Sequence, residues 1–571
     1  MRISWSLAPL GLLACSGTTT PAPSDAGAAD AAADTPAPTD APAGCTVAES
    51  SDPVVLRTDR GLVRGVMDDG SLRWLGIPYA EPPTGSRRWR PPAPISACWT
   101  EARDATQWAP ACPQIPQQQG QPFDPMAPLV GQEDCLTLNV WRPASAASDA
   151  SLPIMVFVHG GGNVVGSAGE SNAAGLRLYD AARLAARGNV VVVTVQYRLG
   201  ALGWLVHPAL EAEEGGAATA SNLALRDMAE ALRWVQRNAR ALRGDPARVM
   251  VFGESAGAVN TCTLVASPLA AGLFSRAGMQ SGSCGGGAGV ILDAARAQGM
   301  RYASEAQCAS SPDVPSCLRG LSLETVMRTL PAAVNVSGLD PSTVRWGPVV
   351  GAAGLPEVPV EAMAAGRHNR VALLVGHNTE EVGLTVPAVP TEAAYRNALV
   401  QLGGASFADG VMAQYPVSRY GTPRAALVQA LTDARFGCQA RLAARAGARG
   451  NGAMPGTYRY LYAQPLEGGT PVVRALGAWH GVELFYVFQN TSRGGYTPTA
   501  GDRAVEGSLL GYWTRFAASG DPNGAGAPEW PAYATGEPLL RIAPAPEVVR
   551  GWRTAECDGW DALSRVSVPA P

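Results

Sequence analysis

The hydrophobic pattern changes from helical to strand-like spacing near the middle of the chain. Around residue 222, apolar residues recur every three or four positions, which predicts an amphipathic helix. Four residues define this apolar face: Leu225, Met228, Leu232 and Val235. We expect the helix to end at the turn Gly244-Asp245-Pro246, because Gly and Pro interrupt regular structure. The apolar run 249–252 then predicts a short buried strand.

The segment Gly253-Glu254-Ser255-Ala256-Gly257 directly follows that strand and precedes another helical run. A nucleophilic serine at a sharp strand-to-helix turn adopts a strained backbone conformation, and small flanking residues let strand and helix approach. The alternative is a glycine-rich turn with a structural serine. The strand–turn–helix context favours Ser255 as a nucleophile.

A second glycine-rich segment supplies candidate hydrogen-bond donors. The apolar run 152–158 predicts a strand that leads into His159-Gly160-Gly161-Gly162. Glycines leave backbone N–H groups accessible to a ligand, and a tetrahedral oxyanion needs such donors already in place. We therefore predict an oxyanion hole formed by the N–H groups of Gly161, Gly162 and Ala256. His159 is expected to shape this turn rather than to act as the base.

The chain of 571 residues has 44 basic side chains, and all of them are arginine. The absence of lysine excludes a Walker A nucleotide loop, a lysine Schiff base and Ser-Xaa-Xaa-Lys acylation. A histidine base must be one of five residues: His159, His207, His368, His377 and His480. The net charge of −4 argues against binding of nucleic acid or an anionic membrane as the main function.

The first 44 residues are expected to lie outside the fold. Residues 1–15 carry one positive charge and a short apolar stretch, as in a secretory signal peptide, and their end resembles a lipoprotein cleavage site. Cleavage there would leave a lipidated Cys15 at the N-terminus, the alternative being an ordinary signal peptide. Residues 16–44 are rich in Pro, Ala and Asp and predict a disordered tether. We expect residues 45–571 to form a single catalytic domain.

Several long motifs in one order resemble the type-B carboxylesterase and lipase family, the α/β-hydrolases that include cholinesterases. The similarity covers nearly all of residues 50–565. Its landmarks, besides the two glycine-rich segments, are Gly65-Val66, Leu75-Gly76-Ile77-Pro78-Tyr79-Ala80, the segment 133–141 (EDCLTLNVW), Tyr197-Arg198-Leu199-Gly200 and Asp521-Pro522-Asn523. The resemblance implies a large, mostly parallel central sheet flanked by helices, with long insertions around the active-site entrance.

The resemblance also places the remaining members of a Ser-Glu-His triad. Residues 478–488 match the family's histidine motif, which implies that His480 is the base. The acid follows a predicted strand at 371–375, and the family pattern places it on Glu381. This chain departs from that pattern with Glu380 for Asp and Val382 for Gly, so Glu380 stays an alternative. His377, close to this acid in the sequence, is expected to be a loop residue without a catalytic role, and no sequence context supports such a role for His207 or His368.

The eleven cysteines of an exported chain are expected to form disulfides. The family's three loops imply the pairs Cys112–Cys135, Cys308–Cys317 and Cys438–Cys557. Without Cys15, four cysteines remain, and Cys45–Cys98 and Cys262–Cys284 are the pairs that we suggest for them. Within the first loop, cholinesterases carry a tryptophan that binds quaternary ammonium, whereas this chain has Phe123 and no Trp there, which disfavours choline esters.

The expected function is hydrolysis of small carboxylic esters through an acyl-serine intermediate, with no metal or cofactor. A lipase for longer acyl chains and a non-catalytic, neuroligin-like binding protein are the alternatives, and the intact Ser255, His480 and glycine loop disfavour the latter. We expect an exported protein that contacts the membrane only through a lipid on Cys15. The acyl-chain preference and the oligomeric state stay open.

Overall fold

The computed structural model describes residues 45, 50–117, 121–171, 176–214, 220–285, 289–339, 344–452, 456–493, 495–563 and 568–570. The predicted signal peptide 1–15, its Cys15 and the predicted tether 16–44 lie outside the described residues. Within the described ranges, no helix has both the length and the apolar character needed to cross a membrane.

The described residues form sixteen strands. In chain order they are β1 (Val55–Thr58), β2 (Gly61–Arg64), β3 (Val66–Asp68), β4 (Ser71–Pro78), β5 (Arg103–Asp104), β6 (Thr137–Pro143), β7 (Leu152–Val158), β8 (Val191–Val195), β9 (Gly244–Glu254), β10 (Arg276–Gln280), β11 (Val290–Ile291), β12 (Val349–Val350), β13 (Ala372–Asn378), β14 (Thr457–Tyr462), β15 (Leu539–Ile542) and β16 (Glu547–Val549).

Eleven of these strands build one sheet in the order β16-β15-β14-β13-β10-β9-β7-β8-β6-β4-β3. The strands from β15 to β8 run parallel to one another, whereas both edges of the sheet are antiparallel. This arrangement confirms the expected large, mostly parallel sheet.

Eighteen α-helices accompany the strands in the described part of the chain. They are α1 (Ala182–Gly188), α2 (Gly200–Trp204), α3 (Pro208–Glu213), α4 (Leu223–Asn238), α5 (Ala256–Ala266), α6 (Leu292–Glu305), α7 (Val314–Gly320), α8 (Leu323–Arg328), α9 (Pro359–Ala364), α10 (Glu392–Gly403), α11 (Ala405–Gln414), α12 (Val417–Tyr420), α13 (Pro423–Thr432), α14 (Cys438–Asn451), α15 (Pro471–Ala475), α16 (Glu483–Val487), α17 (Ala500–Ser519) and α18 (Thr554–Leu563). A π-helical turn, Asp433–Gly437, joins α13 to α14.

Alternate residues of the central strands enter two different hydrophobic cores. On β9, Val249 and Val251 pack in a core with α4, α5 and α14, whereas Met250 and Phe252 pack on the opposite face with α1, α16 and α17. Successive side chains of a strand point to opposite faces, so a strand covered by helices on both faces needs an uninterrupted apolar run. The runs at 152–158 and 249–252 have this origin.

The predicted end of the helix before β9 is wrong by several residues. Helix α4 ends at Asn238, and Gly244 already belongs to β9, where it pairs with Leu152 of β7. The turn lies between them and is closed by a hydrogen bond from the N–H of Gly244 to the carbonyl of Ala239, 2.8 Å long. Gly244 therefore opens the strand instead of ending the helix.

Five disulfides link the cysteines of the described residues: Cys45–Cys98, Cys112–Cys135, Cys262–Cys284, Cys308–Cys317 and Cys438–Cys557. Such a set is typical of proteins that fold outside the reducing cytosol. The pairs include the three implied by the family resemblance and the two suggested for the remaining cysteines.

The longest disulfide loop should contribute most to stability. Cys438 and Cys557 lie 119 residues apart, against 9 residues for Cys308 and Cys317. A disulfide lowers the entropy of the unfolded chain, and this effect grows with loop length. Removing the bridge should therefore lower the free energy of unfolding by about 5 kcal/mol for the long loop and about 2.5 kcal/mol for the short one. We expect the double alanine variant at 438 and 557 to unfold at a clearly lower urea concentration than the variant at 308 and 317. The reverse order would contradict the prediction.

Candidate active site

Ser255 occupies the sharp turn between β9 and α5. Its backbone has φ 56° and ψ −123°, a region that non-glycine residues rarely adopt. The turn is held by its neighbours, because the N–H of Ser255 donates to the carbonyl of Gln280 on β10 over 2.9 Å. The carbonyl of Ser255 accepts from Ala258 and Val259 in the first turn of α5. The side chain is half-buried and so stays open to a substrate.

Two glycines allow this turn to approach the adjacent loop. A Cβ atom at position 257 would lie 2.0 Å from the carbonyl oxygen of Val158, and one at position 160 would lie 3.0 Å from Cβ of Ser255. Either side chain would push the loop after β7 away from the serine. The predicted need for small residues at this turn therefore follows from backbone contacts.

The structure brings His480 and Glu381 together in a buried pair. Nδ1 of His480 lies 2.6 Å from Oε2 of Glu381. Oε1 of Glu381 accepts the backbone N–H of Asn378 over 2.7 Å, and its carbonyl accepts the N–H of His480 over 3.1 Å. Glu381 is fully buried, so these three contacts fix the position of the imidazole ring.

The alternative carboxylate, Glu380, points elsewhere. Its Oε2 accepts hydrogen bonds from the N–H of Ala478, over 2.8 Å, and from the hydroxyl of Thr379, over 2.5 Å. The two adjacent glutamates thus hold the histidine loop in different ways: Glu381 binds the ring, and Glu380 binds the backbone two residues before it.

The other ring nitrogen of His480 faces Glu254, the residue before Ser255. Nε2 lies 3.2 Å from Oε1 of Glu254, and both side chains are buried. Among the described residues, the structure records no hydrogen bond between Nε2 and Oγ of Ser255. In unliganded enzymes, hydrogen bonds between catalytic groups are often long and tighten only when the substrate binds.

Buried carboxylates dominate the electrostatics around this imidazole. Burial lowers the pKa of His480, but the attraction of Glu254 and the hydrogen bond to Glu381 outweigh it and raise the pKa to about 9. Burial raises the pKa of Glu254 to about 8, although the charge of His480 opposes the shift. Burial, together with the charge of Glu381, also raises the pKa of Glu483 to about 7.

Asn378 connects two of these carboxylates. Its backbone N–H donates to Glu381, and its Nδ2 donates to Oε2 of Glu483 over 2.6 Å and to the carbonyl of Trp479 over 2.8 Å. The ring of Phe436, in the π-helical turn, covers His480 with ring centroids 5.0 Å apart. The sequence interpretation missed Glu254, Asn378 and Phe436 as residues around His480, although Glu254 directly precedes Ser255 and Asn378 lies three residues before Glu381.

The glycine loop after β7 leaves backbone donors free. Gly161 and Gly162 have φ 100° and 63°, and the carbonyl of Gly161 accepts from Val164 and Val165. In the part of the chain that the structure describes, no acceptor is recorded for the N–H groups of Gly161, Gly162 or Ala256. These are the three groups that the sequence predicts as oxyanion donors.

His159 directly precedes the three glycines and is fully buried. Its ring stacks on Tyr197 with centroids 4.4 Å apart, and burial lowers its pKa to about 4. The neutral ring therefore serves packing, in agreement with a role in shaping the turn.

The other three histidines lie away from the Ser255 turn. His207 caps α3 by accepting the N–H of Ala209, and His368 pairs with Asn451. His377 is not the loop residue that we expected, since it belongs to β13 and packs fully buried against Trp552. Within the described residues, no group of three or more His, Cys, Asp or Glu side chains could hold a metal ion.

Comparison with known proteins agrees with this geometry. The model of the carboxylesterase family matches residues 52–560. The chain is 31% identical to carboxylesterase 1C of Rattus norvegicus, over 91% of this chain and 95% of that protein. It is 32% identical to fumonisin B1 esterase of Sphingopyxis macrogoltabida, over 85% of this chain and 86% of the relative.

Similarity to solved structures leads to the same family. A PNB esterase superposes with a TM-score of 0.71 at 27% identity, over 89% of this chain and 99% of that one. The family match covers the sheet, the Ser255 turn and the His480–Glu381 pair. The chain therefore belongs to the carboxylesterase family of α/β-hydrolases and is a carboxylic ester hydrolase.

Proposed function

We propose that Ser255, His480 and Glu381 are the nucleophile, the base and the orienting acid of this hydrolase. Oγ of Ser255 attacks the ester carbonyl carbon while Nε2 of His480 takes the hydroxyl proton. The alcohol leaves with that proton, and an acyl-serine forms. Water then attacks the acyl carbon and gives a proton to His480, which passes it to Oγ of Ser255 as the bond to the acyl group breaks and the carboxylic acid leaves. The 2.6 Å contact between His480 and Glu381 is the observation that carries this assignment.

The orienting acid keeps its charge throughout this cycle. Glu381 accepts a hydrogen bond from Nδ1–H of His480, which keeps the proton on Nδ1 and leaves the lone pair on Nε2 free to take the serine proton. It also stabilises the imidazolium that forms in each half-reaction. The backbone donation from Asn378 to the same carboxylate fixes its orientation.

The N–H groups of Gly161, Gly162 and Ala256 form the oxyanion hole in this proposal. They have no acceptor of their own among the described residues, so they can donate to the carbonyl oxygen as it becomes negative. Their positions are set before the reaction, because two belong to the loop after β7 and the third starts α5.

The remaining parts of the chain complete the proposal. Residues 45–571 act as one catalytic domain on small-molecule carboxylic esters. Residues 1–15 direct export, a lipid on Cys15 anchors the protein, and residues 16–44 space it from the membrane. The five disulfides and the signal-like N-terminus support this location.

Covalent trapping tests the nucleophile directly. A p-nitrophenyl alkylphosphonate transfers its phosphonyl group to an activated serine and releases p-nitrophenol. We expect peptide mass mapping to find one adduct, on Ser255, in the wild-type chain, and a much slower reaction in His480→Ala. An adduct on another serine, with ester turnover lost in parallel, would assign the nucleophile to that residue instead.

Glu254 should set the pH at which activity appears. Catalysis needs neutral His480, and its raised pKa keeps the ring protonated to higher pH. On acidification, activity should therefore begin to fall at a pH above about 6.5, the ordinary pKa of histidine. Glu254→Gln removes the largest attractive charge, lowers the pKa of His480 and should move the acid limb of kcat/KM down by about one pH unit.

A matched control separates this effect from general loss of a buried carboxylate. Glu506 is also mostly buried, and its Oε1 accepts the hydroxyl of Thr491, with no contact to His480. Glu506→Gln should leave the acid limb unchanged. An acid limb that stays in place or moves up in Glu254→Gln would contradict the prediction.

A further inference from the structure

Asn163 follows the glycine loop directly and is held by two hydrogen bonds. Its carbonyl accepts the N–H of Gly200 over 2.7 Å, and its Oδ1 accepts Nδ2 of Asn260 over 2.8 Å. Its backbone is left-handed, with φ 62°, a conformation that asparagine tolerates better than most residues. The side chain is 5% exposed and that of Asn260 is fully buried, so water does not compete for this contact.

Asn260 belongs to the helix that starts at the nucleophile. It lies five residues after Ser255 on α5, which packs against β9 and β10. The first turn of α5 is hydrogen-bonded to the carbonyl of Ser255. Asn260 is therefore fixed relative to Ser255. Its amide hydrogen bond to Asn163 fixes the end of the glycine loop relative to Ser255 as well.

The three glycines of the loop cannot contribute side-chain contacts to its position. Gly160, Gly161 and Gly162 have no side chains, and the latter two adopt positive φ. Before the loop, the carbonyl of His159 accepts the hydroxyl of Tyr197 over 2.8 Å. After it, the hydrogen bond between Asn163 and Asn260 joins the end of the loop to the helix that starts at Ser255.

We propose that Asn163 and Asn260 are a pair of positioning residues that sets the distance between the oxyanion donors and Ser255. The proposal rests on the proposed function, since it assigns a role to the loop that holds Gly161 and Gly162. Displacement of preorganised donors weakens binding of the transition state more than binding of the substrate. Loss of the pair should therefore lower kcat and leave KM nearly unchanged.

The polar character of the pair supports a geometric role. Oδ1 of Asn260 has no hydrogen-bond partner among the described residues, and a buried polar atom without a partner is unfavourable. An apolar pair of similar size would fill the same space without this penalty. What the amides add is a directed contact of defined length.

The test uses Asn163→Gly, Asn260→Ala and the double variant in the full chain. Glycine keeps the left-handed backbone at 163 and removes only the side chain. We expect each single change to lower kcat for p-nitrophenyl butyrate by about 10- to 100-fold, with KM within about two-fold. The loss of kcat in the double variant should be no greater than that in the more damaging single variant, because both changes remove the same contact.

A second measurement reports on the oxyanion hole itself. Oγ of Ser255 adds to the carbonyl of an alkyl trifluoromethyl ketone, its proton passes to His480, and the resulting hemiketal oxyanion occupies the hole. The inhibition constant should rise in each variant by the same factor as kcat/KM falls. A purely structural role would lower the melting temperature and leave this constant unchanged, and that result would overturn the proposal.

Asn451→Ala is the matched control. Asn451 is also buried, and its Nδ2 donates to the carbonyl of Val371 over 2.8 Å, at the end of α14. Asn451→Ala should lower the melting temperature and keep the wild-type kcat.

Wild-type kcat in both Asn163→Gly and Asn260→Ala, or losses that multiply in the double variant, would also overturn the proposal. If Asn260→Ala does not fold, Asn163→Gly with the ketone decides. Ester turnover that does not depend on Ser255 would refute the proposed function instead.

Discussion

Ser255→Ala should lower kcat/KM for p-nitrophenyl esters by about 10⁴-fold or more. Alanine lacks the hydroxyl oxygen that attacks the ester carbonyl in the first step of the proposed mechanism. The remaining oxyanion donors and the base can still assist attack by water, so a small residual rate is expected. The measurement is initial velocity on purified protein with acetate to octanoate esters.

Ser267→Ala serves as a control on the same helix. Ser267 is buried at the C-terminal end of α5, and its hydroxyl donates to the carbonyl of Gly354 over 2.6 Å. Its loss should affect stability and leave turnover intact. Equal activity in Ser255→Ala and the wild type would remove Ser255 from the mechanism.

The same ester series, extended beyond octanoate to longer acyl chains, separates the alternative functions. A rate that peaks within the acetate to octanoate range indicates an esterase for short chains, whereas a peak at longer chains indicates a lipase. Wild-type protein that hydrolyses none of the esters and binds a protein partner reproducibly would support the neuroligin-like alternative.

Glu381→Gln should be the second most damaging change, with a loss in kcat of about 10³- to 10⁴-fold. Glutamine is nearly isosteric, but it cannot hold the imidazole with the proton on Nδ1 and cannot stabilise the imidazolium. The 2.6 Å contact to His480 would be replaced by a neutral hydrogen bond, which favours the wrong tautomer.

The adjacent residue provides a matched comparison. Glu380→Gln keeps an amide oxygen that can accept the N–H of Ala478, so the backbone contact survives. We expect a loss in kcat of less than about ten-fold. The reverse order of the two effects would assign the acid to Glu380, in spite of the hydrogen bonds described above.

Local patterns predicted the strands and the sharp turn at Ser255 well, since both depend on contiguous residues. The apolar run at 152–158 coincides with β7, because burial on both faces requires an uninterrupted apolar sequence. The end of α4 was less predictable. Gly244 reads as a helix stop, and only its pairing with Leu152 in the sheet makes it part of β9.

The acid loop shows why the sequence left two glutamates open. Val382 replaces the family's glycine, and its side chain is fully buried in an apolar cluster with Val386 and Leu427. The helices α10–α13 supply most of that cluster, so the space for Val382 comes from distant sequence. Glu254 and His480 likewise lie 226 positions apart in the chain. The sequence around Glu254 therefore gives no sign of this contact.

The order of the disulfides has a consequence for export. From Cys45 onward, the cysteines pair two by two in chain order, the first with the second and the third with the fourth, so the bridges do not cross. An oxidant that links thiols as they emerge from a translocation channel would thus produce the native set without reshuffling. A free thiol at Cys15 would shift this register by one, to Cys15–Cys45 and Cys98–Cys112. Thioether attachment of a lipid to Cys15, as proposed, removes that competing start.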